Sequence, residues 1–285
     1  MNSPGPYPAS IATVSLPGPL HARLAAAAAA GFDGVEIFAP DLAASALHPA
    51  DVAAICDHLG LEVYQHQPLR DFETTDPGQA RLNMDSAAAM IDTTAALGAR
   101  TLLVCSSTAA DAPADPAETG AQLLRLAHLA GESGVRIAYE AMGWGWHVRT
   151  WQQALEVVTA AGCPQAGLCL DSFQVLYSRS GLAGIAELPA DLIFSVQLAD
   201  APWMELDMID VGRHYRRFPG RGRLDVGSFI RAVLATGWRG PLALEVFSDA
   251  HRGADPALIA DAGMESLLAL AAGLVLDRRG AVPVP

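Results

Sequence analysis

Four acid or amide residues end short apolar runs in the second half of the chain: Glu140 in Arg-Ile-Ala-Tyr-Glu, Asp171 in Leu-Cys-Leu-Asp, Gln197 in Ser-Val-Gln-Leu and Glu245 in Ala-Leu-Glu-Val. Three carboxylates gathered in one place repel one another and resist ionising together, so they need a counter-charge. The chain contains no lysine, and its 18 basic residues are all arginine. Arginine or a metal must therefore neutralise the cluster. Oxygen donors that include one neutral amide suit a hard or borderline divalent ion such as Mg, Mn or Co better than zinc held by thiolates. The same lack of lysine removes Schiff-base chemistry, because arginine cannot lose its proton to attack a carbonyl.

For these residues to meet, the chain must bring the ends of distant strands to one rim. Strand patterns fall at Ile11–Ser15, Gly34–Phe38, Leu61–His66, Thr101–Ser106, Arg136–Ala141, Ala166–Ser172, Ile193–Ala199 and Pro241–Phe247. Alanine-rich helical patterns alternate with them at Leu20–Ala30, Pro49–Leu59, Gln79–Leu97, Pro116–Glu132, Trp151–Ala161, Gly181–Leu188, Val226–Thr236 and Pro256–Ala271. Eight such repeats predict a closed parallel (β/α)8 barrel whose catalytic groups sit at the carboxyl ends of the strands. Glycines between helix and next strand, as in Leu-Gly-Leu and Ala-Gly-Cys-Pro, suit left-handed helix ends. No dinucleotide fingerprint follows the first strand, which weighs against an open doubly wound sheet. The expectation is one domain over 1–285, with Asp277–Pro285 a frayed tail.

Strand periodicity sharpens the picture. If the four residues point into the barrel, so do Ala138, Cys169, Ser195 and Ala243 two positions earlier. All four are small, which leaves the interior lean beneath a polar rim. The alternate residues, Ile137 and Tyr139, Leu168 and Leu170, Val196 and Leu198, Leu244 and Val246, are large and should face the helices.

Other candidates cluster around that rim. Glu36 has the same inward phase on the second strand and could contact a substrate or orient a ligand. Arg70 follows the third strand, and the long Asp200–Leu224 loop carries Arg213, His214, Arg216, Arg217, Arg221 and Arg223. Such a basic cluster on a chain of net charge −13 suggests a small acidic substrate held by guanidinium groups, Arg70 and Arg216 foremost. His147, beyond Glu140, is placed for proton transfer, and His66 ends the third predicted strand.

Composition excludes other classes. The negative charge repels nucleic-acid phosphates. No run of about 18 unbroken apolar residues predicts a membrane span, and Met1–Leu16 lacks the basic and apolar regions of a secretory signal. Cys56, Cys105, Cys163 and Cys169 have no zinc or redox spacing and read as free thiols in a cytoplasmic protein. The sequence leaves homo-oligomerisation open.

Several blocks resemble a known family. Val-Ser-Leu-Pro-Gly, Gly-Phe-Asp-Gly-Val-Glu-Ile-Phe, Gln-Pro-Leu-Arg-Asp-Phe-Glu, Leu-Leu-Val-Cys-Ser, Tyr-Glu-Ala, Leu-Asp-Ser-Phe, Val-Gln-Leu-Ala-Asp-Ala-Pro and Arg-His-Tyr-Arg-Arg-Phe-Pro-Gly follow the bacterial 3-dehydroshikimate dehydratases in order. Those are xylose-isomerase-like TIM barrels. The resemblance implies metal ligation by Glu140, Asp171, Gln197 and Glu245, and conversion of 3-dehydroshikimate to protocatechuate with loss of water. It also marks two departures. The family usually has histidine where this chain has Gln174, and a Trp-Ser-Arg-His stretch where this chain reads Val211-Gly212-Arg213-His214. Both positions should face the substrate, with Gln174 at the catalytic position. They keep a second reading alive: a metal-dependent isomerase, epimerase or dehydratase acting on another polyhydroxy ketone, a sugar or cyclitol. A non-catalytic acid- or sugar-binding protein is the third.

Overall fold

A computed structural model describes residues 7–280, without the side chains of 274–280. Eight parallel strands close into a barrel in sequence order: β1 (Ala9–Ala12), β2 (Gly34–Phe38), β3 (Glu62–Leu69), β4 (Thr101–Cys105), β5 (Arg136–Glu140), β6 (Ala166–Asp171), β7 (Ile193–Leu198) and β8 (Leu242–Leu244). Around them run α1 (Leu20–Ala29), α2 (Ala39–Ala44), α3 (Pro49–Leu59), α4 (Pro77–Ala96), α5 (Pro116–Glu132), α6 (Trp151–Ala161), α7 (Ser172–Tyr177), α8 (Met208–His214), α9 (Val226–Ala235) and α10 (Pro256–Gly280).

Local chemistry sets these boundaries. Thr150 caps α6 through the Gln153 amide while Gln153 reaches back, and Gly162 ends the helix at φ 59°. Gly60 ends α3 in the same left-handed conformation, φ 72°, which costs glycine no Cβ clash.

The two-residue alternation holds. Ile137, Tyr139, Leu168, Leu170, Val196, Leu198, Leu244 and Val246 all belong to the large core between barrel and helices. Ala138 and Cys169 belong to a separate interior cluster with Leu103, Cys105, Met142 and Phe194. Phe194 enters it because the register slips between Leu168 and Cys169, which pair with Ile193 and Ser195. The interior is therefore less lean at its floor than the periodicity predicts.

Several predicted elements differ. β1 starts at Ala9, and Thr13–Ser15 form a 3-10 turn instead of its end. The helix predicted at Gly181–Leu188 is only a 3-10 turn at Ile185–Glu187. The helix after β6 is α7, begun directly at the strand end because Asp171 Oδ1 accepts from the Phe173 N–H at 2.7 Å. A strand-end carboxylate doubles as its N-cap. Of the predicted frayed tail, residues to Gly280 continue α10, and 281–285 lie outside the described residues. One α10 window, Pro256–Gly273, is long and apolar enough by composition to cross a membrane. Its Ala260, Met264 and Leu267 are instead buried in the barrel's outer core.

Candidate active site

Strand register brings the four predicted residues toward one rim. Glu140 pairs with Cys105 on one side and Cys169 on the other, and Asp171 pairs with Gln197. Glu140, Asp171, Gln197 and Glu245 are all buried.

Arg216 joins the carboxylates. Its Nη1 donates to Asp171 Oδ2 at 2.7 Å and to Glu245 Oε2 at 3.0 Å. Its Nε donates to the Gly212 carbonyl at 2.9 Å, and its guanidinium lies 4.5 Å from the Phe173 ring and 5.3 Å from that of Phe247. At 2% exposure it is the arginine counter-charge that the lysine-free composition demanded. It balances only part of the charge. Glu140 is held well above the usual carboxylate range, first by burial and then by Asp171 and Glu245. Burial lifts Glu245 to about 6, with Arg216 opposing.

Behind the cluster stands Glu36. Its Oε2 accepts from Gln197 Nε2 at 2.7 Å and from Gln67 Nε2 at 2.8 Å. Burial lifts its pKa to about 8, the Gln197 bond opposing. Because the Gln197 nitrogen is engaged by Glu36, its carbonyl oxygen is the atom left to act as a ligand; the Cys169 thiol lies 3.5 Å from it.

Above them opens a cavity of about 360 Å³ lined by, among others, Arg70, Glu140, Gln174, Arg213, Arg216 and Glu245. Arg70 has one weak contact, 3.9 Å to Cys105 Sγ, and its charge, like that of Arg216, favours ionised Glu245; among the described residues neither it nor Arg213 forms a salt bridge. Gln174 is oriented: its Oε1 accepts from the Gly143 N–H at 2.9 Å and its Nε2 donates weakly to Met142 Sδ at 3.8 Å, which leaves one amide N–H as a donor. Gly212 is required by its neighbours, since a Cβ there would sit 2.9 Å from the Phe173 ring and 3.0 Å from Trp144.

Three predicted histidines are not in the cavity. His66 faces the helices, its Nδ1 2.9 Å from Thr94 Oγ1, and burial lowers its pKa to about 4. The prediction ended β3 at His66, but the strand continues to Leu69, and the inward residues are Gln65 and Gln67, paired with Glu36 and Phe38. The Gln-x-Gln spacing was the overlooked signal. His147 is not among the cavity-lining residues, and its ring meets Trp146 edge-on at 6.4 Å. His214 lies 3.2 Å from Asp249 and lines a neighbouring groove with Arg217 and Arg221. The sequence reading also missed Cys105, which lines the cavity with its thiol 3.4 Å from Glu140 Oε2.

An eight-stranded parallel barrel with this rim defines the class: residues 24–270 match the xylose isomerase-like TIM barrel family, and the chain belongs to it. Within that class it is 47% identical, over 92% of its length, to the 3-dehydroshikimate dehydratase of Pseudomonas aeruginosa, of which it spans 41%. A solved xylose isomerase-like TIM barrel/4-hydroxyphenylpyruvate dioxygenase fusion protein superposes with a TM-score of 0.93 at 42% identity, over 98% of this chain and 45% of that one. The chain thus spans less than half the length of these relatives. The IOLI protein, solved with a binding zinc atom, has a TM-score of 0.84 at 18% identity, over 94% of this chain and 99% of that one; at that identity the likeness is one of fold.

Proposed function

We propose that this chain dehydrates 3-dehydroshikimate to protocatechuate with the help of a divalent cation. The observation that carries the reading is the polarity of the cavity. Arg70 and Arg213, which form no salt bridge among the described residues, line the cavity above a floor of buried carboxylates, as a substrate that is both anionic and rich in oxygen would require. The resemblance to the Pseudomonas dehydratase supplies the reaction.

The donor set suits a cation. Glu140 Oε1 is buried without a hydrogen-bond partner, and the carboxyls of Glu140 and Glu245 are raised first by burial and further by neighbouring carboxylates, with Arg216 opposing, so a cation placed there would stabilise their ionised forms. Glu140, Asp171, Gln197 and Glu245 would hold the ion, Mg, Mn or Co by their oxygen chemistry. Among the described residues no three His, Cys, Asp or Glu side chains form a ready-made metal group, and one guanidinium nitrogen bridges Asp171 and Glu245. Bound there, a divalent ion supplies Lewis acidity toward a ketone oxygen.

The chain's own residues do the rest. Arg70 and Arg213 bind the substrate carboxylate and set its orientation. Gln174 donates an N–H to a substrate oxygen and, having no exchangeable proton near neutral pH, takes no part in proton transfer. In the net step a proton and a hydroxide leave the substrate together as water. Phe38, Met142, Trp144 and Phe247 complete the wall and limit water around the reacting atoms.

The test is direct: purified protein with Mn or Mg and 3-dehydroshikimate should form a product with aromatic absorbance, and a chelator should abolish it. The orientation of Gln174 and the bare Gly212 favour one other reading, the isomerase or epimerase on a polyhydroxy ketone. Absence of aromatic product with the metal site demonstrably filled would leave that reading in its place.

A further inference from the structure

From the carboxylate cluster a file of stacked groups leads to the surface. The Arg216 guanidinium lies 4.5 Å from the Phe173 ring. Phe173 stacks on Tyr177 at 5.0 Å and 21°, one helical turn further along α7. Tyr177 stacks on Trp203 at 4.8 Å and 29°, and the Arg179 guanidinium caps Trp203 at 5.1 Å. Arg179 holds a left-handed backbone, φ 58°, uncommon for a residue with a Cβ. Trp203 itself is 47% exposed.

We propose that Trp203, a surface residue that does not line the cavity, is a positioning residue for Arg216 and Arg213. Two routes connect them. Through the rings, Trp203 backs Tyr177, which backs Phe173, one of the two faces that clamp the Arg216 guanidinium. Stacked aromatic pairs and cation–π contacts each add attraction beyond their buried area, enough together to bias one guanidinium placement over another. Through the backbone, Trp203 anchors the segment between β7 and α8. The Tyr177 hydroxyl accepts from the Met204 N–H at 3.4 Å, and α8 carries Arg213 and the Gly212 carbonyl that receives Arg216 Nε. The far side of the loop is fixed separately by Asp200, whose carboxylate accepts from the N–H groups of Ala201, Gly220, Gly222 and Leu224. Between Asp200 and α8, the aromatic file is the tether.

The test compares Trp203→Ala, Trp203→Leu and Trp203→Phe in the full chain. Hydrogen exchange over Gly212–Phe218 should run at least about fivefold faster in the Ala and Leu variants and within about twofold of wild type in Phe, since local opening follows the loss of packing. With metal-loaded protein, 3,4-dihydroxybenzoate should bind about tenfold more weakly to Ala and Leu but not to Phe, the scale expected of a misplaced binding group. In turnover assays KM should rise with kcat within about twofold. A purely structural role would instead lower kcat in proportion to the folded fraction and leave KM alone. Unchanged exchange in both Ala and Leu, or equal losses in Phe and Ala, overturns the proposal. The exchange measurement needs no ligand. If wild-type protein fails to bind the probe, the proposed function suffers while exchange still decides the role of Trp203.

Discussion

Glu36 and Glu245 are both buried glutamates at the same rim, and they differ in what faces them. Glu36 meets amides: Gln67 and Gln197 donate to one oxygen, and the carboxyl is pushed up to about 8 by burial. Glu245 meets the Arg216 guanidinium, and the same degree of burial leaves it at about 6. Amides stabilise a carboxylate as dipoles; a guanidinium adds a full opposite charge. The contrast divides the site into a β2–β3 side that favours a neutral, protonated acid and a β6–β8 side prepared for ionised ligands. A cation would be drawn to the second.

The harshest way to break this contrast is Arg216→Met. It leaves Asp171 and Glu245 buried without their counter-charge, so metal-free protein should lose ~3–5 kcal/mol in urea unfolding, and Glu245 should titrate higher. Glu245→Gln comes next. The side chain keeps its shape but loses its charge, and Mn affinity by calorimetry should fall about 100-fold; retained affinity would remove Glu245 from the ligand set. Glu73→Gln extends the comparison outside the cavity. Glu73 is buried with the Tyr139 hydroxyl as its side-chain donor, and burial raises its pKa from 4.5 to about 7. An acid whose folded-state pKa is raised stabilises the fold fully only below pH 4.5, and that contribution is lost as pH climbs through 7. The glutamine variant should therefore match wild type near pH 4 and exceed it by up to ~2–3 kcal/mol at pH 8. Glu36→Gln should do least. If the carboxyl is already protonated at pH 7, its uncharged mimic should keep activity within about threefold. Near-complete loss of turnover would mean that Glu36 is ionised in the working enzyme, and the division of the rim would collapse.

Much of this was legible in the residues. The inward and outward sets on β5 to β8 followed from a period of two, because both faces of those strands are buried and a slip of one residue would exchange them. The need for a cation beside three carboxylates followed from charge alone. What escaped was local. His66 stands out in the sequence as the end of the predicted third strand, but that strand runs on to Leu69, and the inward residues are its neighbours Gln65 and Gln67. α7 was displaced to Gly181–Leu188 because Asp171 was read only as a ligand, although its other oxygen starts the helix. Arg216 could be nominated from the loop's composition, but its partners, separated from it by 45 and 29 residues, lay beyond any periodicity. Phe173 and Tyr177 lie outside every predicted helix, so neither their stacking nor its continuation to Trp203 could be foreseen.

Asp200 has a consequence for how such a site could be re-tuned. By gathering four backbone amides from both ends of the 200–224 segment, it closes the base of the segment with its own side chain as the one side chain used. The exposed residues between Pro202 and Arg213 can then vary around fixed points, provided that Trp203, Gly212 and Arg216 stay. New recognition chemistry placed there would inherit the same attachment, while Arg216 goes on neutralising Asp171 and Glu245 below it.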